Sequence, residues 1–123
     1  MSRVLLVDDN PAAVRSTALV LRSWGHEVRL AEDAHSALLV ARAWRPEFAL
    51  VDLGLPGMDG FQLAAALRRE PALRGCRIIA MSALWHEGDE ARLDGAGVEH
   101  FLRKPLELPF LSSLLGRQAG IPG

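Results

Sequence analysis

The chain has 123 residues, half of them hydrophobic, and a formal net charge of −1. That length suffices for one domain whose core needs neither disulfides nor a structural metal, and the interspersed charges argue against an electrostatic grip on nucleic acid or anionic lipid. The single Cys76 excludes an internal disulfide. No apolar stretch reaches membrane-spanning length and no signal-peptide pattern follows Ser2-Arg3, so we expect a soluble, cytoplasmic protein that does not engage a membrane.

Val4-Leu5-Leu6-Val7 is an unalternating apolar run, suited to a strand buried on both faces of a parallel sheet, and it stops at Asp8 and Asp9. Asn10 can cap the first helix, Pro11 suits its opening turn, and Val14, Ala18 and Leu21 recur at helical spacing until Gly25. Glu27-Val28-Arg29-Leu30 alternates and predicts a weaker second strand. Asp33 can cap a helix through Ala37, Ala41 and Trp44, which Pro46 stops. Phe48-Ala49-Leu50-Val51 is the third strand, ending abruptly at Asp52 before a loop rich in glycine. Asp59 and Gln62 stand at capping-box spacing, and Phe61, Leu63, Ala64 and Leu67 give the third helix its apolar stripe until Pro71. Ile78-Ile79-Ala80-Met81 is a fourth buried run ending at Ser82. A polar helix from about His86 to Asp94 comes next, weakened by Gly88 and Gly95. Glu99-His100-Phe101-Leu102 predicts a short fifth strand, ending near Lys104-Pro105. Leu108, Leu111 and Leu115 mark a last helix, with Pro109 tolerable in its first turn.

Five strands alternating with five helices predict an α/β doubly wound five-stranded parallel sheet over residues 1–117, with 118–123 as a short tail. Right-handed crossovers place all strand carboxyl ends on one edge, where Asp8, Asp9, Asp52, Ser82 and Lys104 are expected to converge. Carboxylates forced together repel unless a cation joins them. Hard oxygen ligands suit Mg²⁺, and the lack of convergent His or Cys argues against zinc. An Asp at a strand end beside such an ion can attack a phosphoryl group and become an aspartyl phosphate. Lys104 is the only lysine among 14 basic residues, the rest being arginine. Its compact ammonium could pair with a phosphoryl oxygen, a role for which a planar guanidinium is no equivalent. Ser82 could donate to another oxygen, and small Ala83 leaves the approach open.

Taken singly, these residues have ordinary explanations. An Asp after an apolar strand is usually a turn former, Asp8-Asp9-Asn10-Pro11 could be simple capping, and a lone Lys is usually a solvated charge. His26, His35, His86 and His100 are scattered and expected at the surface, Cys76 is expected to be inert, and Leu84 and Trp85 lean toward a partner surface. The combination is what lifts Asp52 above a turn former.

Together, Val7-Asp8-Asp9, Val51-Asp52, Leu55-Pro56-Gly57-Met58-Asp59-Gly60, Met81-Ser82-Ala83 and Phe101-Leu102-Arg103-Lys104-Pro105 resemble the receiver domain of bacterial two-component response regulators. The likeness runs over about residues 3 to 116 in the family's order and spacing. It implies a flavodoxin-like strand order 2-1-3-4-5 and a cis peptide before Pro105. It also implies Asp52 as phosphoacceptor and metal ligand, Asp9 as a direct Mg²⁺ ligand, Asp8 as a ligand through water, and the Gly54 carbonyl as a further ligand. Ser82 and Lys104 would bind the phosphoryl group, with Ser82 and Phe101 forming the switch pair. The implied donor is a histidine kinase or phosphotransfer protein. The implied recipient is a downstream protein target or a linked output domain, with possible dimerisation through the fourth helix, fifth strand and fifth helix. The chemistry would be autocatalytic, so the chain would not be an enzyme.

Gly54 departs from the pattern by offering no side chain to shield an acyl phosphate from water, which leads us to expect rapid loss of phosphate. Val98 and Gly95 are milder departures. The alternatives are a receiver-like interaction module that is never phosphorylated and an aspartate-nucleophile, Mg²⁺-dependent phosphatase. A phosphatase of the haloacid-dehalogenase-like pattern needs an Asp where Gly54 stands. A flavin module would want a neutral loop where Asp8-Asp9 would repel phosphate.

Overall fold

The structure is a computed structural model and describes residues 2–54, 60–83 and 89–116. The loop motif before Gly60, with Asp59 as a cap, lies outside the described residues. So do Leu84, Trp85, the start of the helix expected from His86, and the tail 118–123.

The elements alternate as expected: β1 (Arg3–Val7), α1 (Pro11–Ser23), β2 (Glu27–Ala31), α2 (Ala34–Trp44), β3 (Phe48–Asp52), α3 (Gly60–Arg69), β4 (Arg77–Ser82), α4 (Asp89–Gly95), β5 (His100–Arg103) and α5 (Leu108–Leu115). All strand pairings are parallel, in the order β2-β1-β3-β4-β5. Parallel pairing requires each crossover to return over a face of the sheet, which is why every strand ends on one edge. Among the described residues, no helix is long and apolar enough to cross a membrane.

Local chemistry sets the helix starts. The Asn10 side chain accepts from the Ala12 and Ala13 N–H groups at 3.1 and 3.2 Å, two of the donors that a first turn leaves unpaired. Asp33 accepts from Ser36 N–H at 2.8 Å, and both of its hydrogen bonds with Ser36 hold its carboxyl below the usual carboxylate range. Arg45 ends α2 in the left-handed region, at φ 53°.

Successive strand residues face opposite sides of the sheet, so the core forms two layers. Leu5, Val7, Ala49, Val51 and Ile78 meet α2 and α3, where Ala34, Ala37 and Ala41 let α2 approach closely. Val4, Leu6, Leu50, Ile79 and Met81 meet Val14, Ala18 and Leu21 of α1 and Leu111 and Leu115 of α5. A third, smaller cluster of Phe61, Ala80 and Leu93 packs against Leu53, Val98 and Phe101.

Three local expectations need correction. His26 is buried, because the chain turns inward before β2 and its N–H donates to the Leu21 carbonyl. Its Nδ1 has no hydrogen-bond partner among the described residues, and burial, with a smaller contribution from the amino terminus and opposed by Glu47, lowers its pKa. Leu30 is exposed although the alternation of β2 would bury it, because β2 is an edge strand. Leu108 lies in the first turn of α5 and stays exposed while Leu111 and Leu115 carry the buried stripe. A short 3₁₀ turn, Pro71–Leu73, precedes β4 and buries Leu73. Cys76 is buried as well, which pushes its thiol up to about 11 and keeps it out of thiolate chemistry at neutral pH.

Candidate functional site

At the carboxyl edge of the sheet, β1 delivers Asp8 and Asp9 and the adjacent β3 delivers Asp52. One carboxylate oxygen from each lies within 4.8 Å of the others. Asp8 and Asp52 are buried and Asp9 is exposed. The surrounding backbone fixes two of the three. Asn10 N–H donates to Asp8 Oδ1 at 3.0 Å, and Gly54 N–H donates to Asp52 Oδ1 at 3.0 Å. Each bond uses one carboxylate oxygen and leaves the other to face the pocket.

Lys104 reaches both of those oxygens. Its Nζ donates to Asp8 Oδ2 at 2.7 Å and to Asp52 Oδ2 at 3.2 Å. Its backbone N–H donates to the Ser82 carbonyl at 2.9 Å, tying the end of β5 to the end of β4, and the Lys104–Pro105 peptide is cis, as the resemblance implies. Burial works against the ammonium. The hydrogen bond to Asp8 and the charges of Asp52 and Asp8 outweigh that burial, so the amine is held above its ordinary pKa and stays protonated at neutral pH. Among the described residues, three carboxylates against one ammonium leave two negative charges uncompensated in the pocket.

Ser82 ends β4, half-buried, one residue beyond Met81, which pairs with Asp52 across the sheet. Phe101 is half-buried and lies deeper in β5, opposite Ala80, so its ring belongs to the small cluster under α3 and α4 rather than to the acidic pocket. Gly54 contributes its N–H to Asp52.

Two features have no plain signal in the sequence. Asn10 both caps α1 and orients Asp8, a double duty for which only the spacing Asp8-x-Asn10 is a hint. A mainly apolar cleft of about 560 Å³ opens beside the pocket, between Ala13, Thr17 and Val20 of α1 and the Pro105–Leu108 segment, with Asp8 and Lys104 on its wall. It exists because α1 and the segment leading into α5 flank the same strand ends, which no local pattern reveals.

A doubly wound sheet with an acidic pocket and a lysine at its carboxyl edge defines a class of signalling module, and similarity to known proteins agrees. Residues 4–115 match the response regulator receiver domain, and the chain belongs to that family: it is a receiver domain of two-component signalling. It is 35% identical over 106 residues to the response regulator PleD of Caulobacter vibrioides, covering 86% of this chain but only 23% of PleD. It is 29% identical to the protein PilH of Pseudomonas aeruginosa, covering 87% of this chain and 88% of PilH. Among solved structures, the receiver domain of the sensor histidine kinase PA1611 from Pseudomonas aeruginosa is 33% identical, with a TM-score of 0.84 over 97% of this chain and 98% of that one. That structure holds a magnesium ion coordinated in its active-site cleft. Receiver domains are generally signalling modules and not enzymes in the ordinary sense.

The donor set here suits such an ion. It offers hard carboxylate oxygens and two unmatched negative charges, with no His or Cys in the acidic cluster.

Proposed function

We propose that the chain is a phosphorylation-controlled switch that accepts a phosphoryl group on Asp52 from a histidine kinase or phosphotransfer protein in a Mg²⁺-dependent reaction. Asp8, Asp9, Asp52 and the Gly54 carbonyl would hold the ion, with Asp8 acting through water. When bound, the ion would neutralise charge on the phosphoryl oxygens during an in-line displacement. An Asp52 carboxylate oxygen attacks phosphorus, the new O–P bond forms as the bond to the donor nitrogen breaks, and that nitrogen keeps the electron pair. Lys104 leaves its contact with Asp52 to pair with a phosphoryl oxygen, and Ser82 donates its hydroxyl to another. Phe101, packed against Ala80 and Leu93, would respond to that movement of Ser82, shifting the balance between two conformations.

The observation that carries this reading is the meeting of Asp8, Asp9 and Asp52 within 4.8 Å around an ammonium already in contact with two of them. Capping alone would not gather three acids from two strands. The output surface would be α4, β5 and α5, read by a protein target, a linked output domain or a second copy. Phe110 and Leu108 are exposed on α5, and a 470 Å³ hollow runs between Phe101, Arg103 and Phe110. We assign the domain to residues 1–117.

The test is incorporation of phosphate from acetyl phosphate with Mg²⁺, read by intact mass. We expect one phosphoryl group on the wild type and none on Asp52→Asn. A label that persists in Asp52→Asn overturns the assignment, and a wild type that takes no label under any donor favours the unphosphorylated interaction module.

A further inference from the structure

Two glycines lie against Asp52, and a side chain would have different consequences at each. A Cβ on Gly54 would sit 3.6 Å from Asp52 Oδ1, an ordinary contact. A Cβ on Gly60 would overlap Leu53 Cα and sit 2.7 Å from the Asp52 carbonyl oxygen and 3.0 Å from the Leu53 carbonyl carbon. All three are main-chain atoms, so no change of rotamer relieves the overlap. Gly60 is the first residue of α3 and is buried, so its contribution is room and not unusual backbone freedom.

The peptide it touches is the one that leaves the proposed phosphoacceptor. On one side, Leu53 N–H donates to the Met81 carbonyl of β4 at 2.9 Å. On the other, Gly60 N–H donates to the Leu53 carbonyl at 3.4 Å. The peptides before and after Leu53 are thus held in turn, the first by β4 and the second by the first turn of α3, and the N–H of that second peptide, from Gly54, holds Asp52 Oδ1.

We propose that Gly60 is a positioning residue for the chemistry of Asp52: its bare Cα lets α3 close on the Asp52–Leu53 peptide and so fixes the direction of the Asp52 carboxylate. Restoring about 3.4 Å of clearance around a Cβ requires a movement of roughly 1 Å in α3 or in that peptide, and misplacements of about 1 Å can slow a reaction about a hundredfold. This inference rests on the reading of Asp52 as phosphoacceptor.

The experiment measures the rate of phosphorylation by acetyl phosphate at saturating Mg²⁺, the Mg²⁺ affinity, and the urea midpoint. It compares wild type, Gly60→Ala, Gln62→Gly and Leu67→Ala. Leu67 is fully buried away from the pocket and serves as the stability control. Gln62 is exposed, and glycine there loosens the first turn of α3 without adding bulk. We expect Gly60→Ala to phosphorylate at least about tenfold more slowly and to bind Mg²⁺ more weakly, and Gln62→Gly to slow about two- to threefold. Leu67→Ala should stay within about twofold of wild type despite a lower midpoint. Wild-type rate and affinity in folded Gly60→Ala overturn the inference. If Gly60→Ala does not fold, a wild-type rate in Gln62→Gly does so. A wild type that takes no label instead overturns the phosphoacceptor reading beneath it.

Discussion

At the amino-terminal edge of the sheet, one ion pair joins neighbouring strands, Arg77 with Glu99 at 3.0 Å, while Glu47 accepts from the backbone N–H of Arg3 and the Arg3 guanidinium donates to the Arg45 carbonyl. At the carboxyl edge, three carboxylates from two strands share the one ammonium of Lys104, and two of the acids are buried. Both edges close the same sheet, so folding alone does not explain the second arrangement. Crowded acids destabilise a native state unless a cation joins them, and that difference between the edges supports the proposal that the carboxyl edge receives a ligand of opposite charge.

That contrast can be broken at each edge. The largest stability effect is expected from Lys104→Met, which leaves three acids without a cation. A buried pair that loses one partner is destabilised by about 3–5 kcal/mol, and because the Lys104 side chain is 23% exposed we expect about 2 kcal/mol in urea unfolding, partly restored by Mg²⁺. The matching change Arg77→Met, in a pair whose side chains are 52% and 42% exposed, should shift stability by less than about 1 kcal/mol. Equal losses would remove the distinction between the edges.

A kinetic effect comes next. A Cβ on Gly54 would lie 3.6 Å from Asp52 Oδ1, an ordinary contact distance, so the position admits a larger residue beside the carboxylate. Gly54→Gln is expected to lengthen the lifetime of the phosphorylated protein several-fold, measured by decay of labelled protein after donor removal. An unchanged lifetime means that water reaches the acyl phosphate by another path.

The smallest effect belongs to the amino edge. His26 has a lowered pKa in the folded state, so between that value and its ordinary value near 6.5 the unfolded chain binds more protons. Its contribution to stability is therefore present above about pH 6.5 and declines as pH falls through the folded pKa. A His26→Leu variant should lose that part of the acid slope in urea midpoints measured from pH 7 to 5. A slope identical to wild type would contradict the assignment.

The fold and the site are legible in the sequence wherever a local pattern carries them. The unalternating runs at Val4–Val7, Phe48–Val51 and Ile78–Met81 announce buried parallel strands, and alternation with helices then requires that their carboxyl ends share an edge. Strand order and edge alone therefore group Asp8, Asp9, Asp52 and Lys104. The hidden features depend on long-range packing. The burial of His26 comes from a turn closing against Leu21 and the sheet edge. The exposure of Leu30 reflects that β2 has a neighbour on one side only. The 3₁₀ turn at Pro71–Leu73 is too short to show a period. Gly60 reads in the sequence as one glycine of a loop motif, and its contact with the Asp52–Leu53 backbone emerges only in three dimensions.

The proposal that the acids of the carboxyl edge bind a divalent ion is tested most directly by calorimetric titration with Mg²⁺. We expect one ion per chain on the wild type, with a urea midpoint that rises as Mg²⁺ is added, and loss of both effects in Asp9→Asn. A wild type that takes up no Mg²⁺, or an Asp9→Asn variant that binds it as well as the wild type, would contradict it.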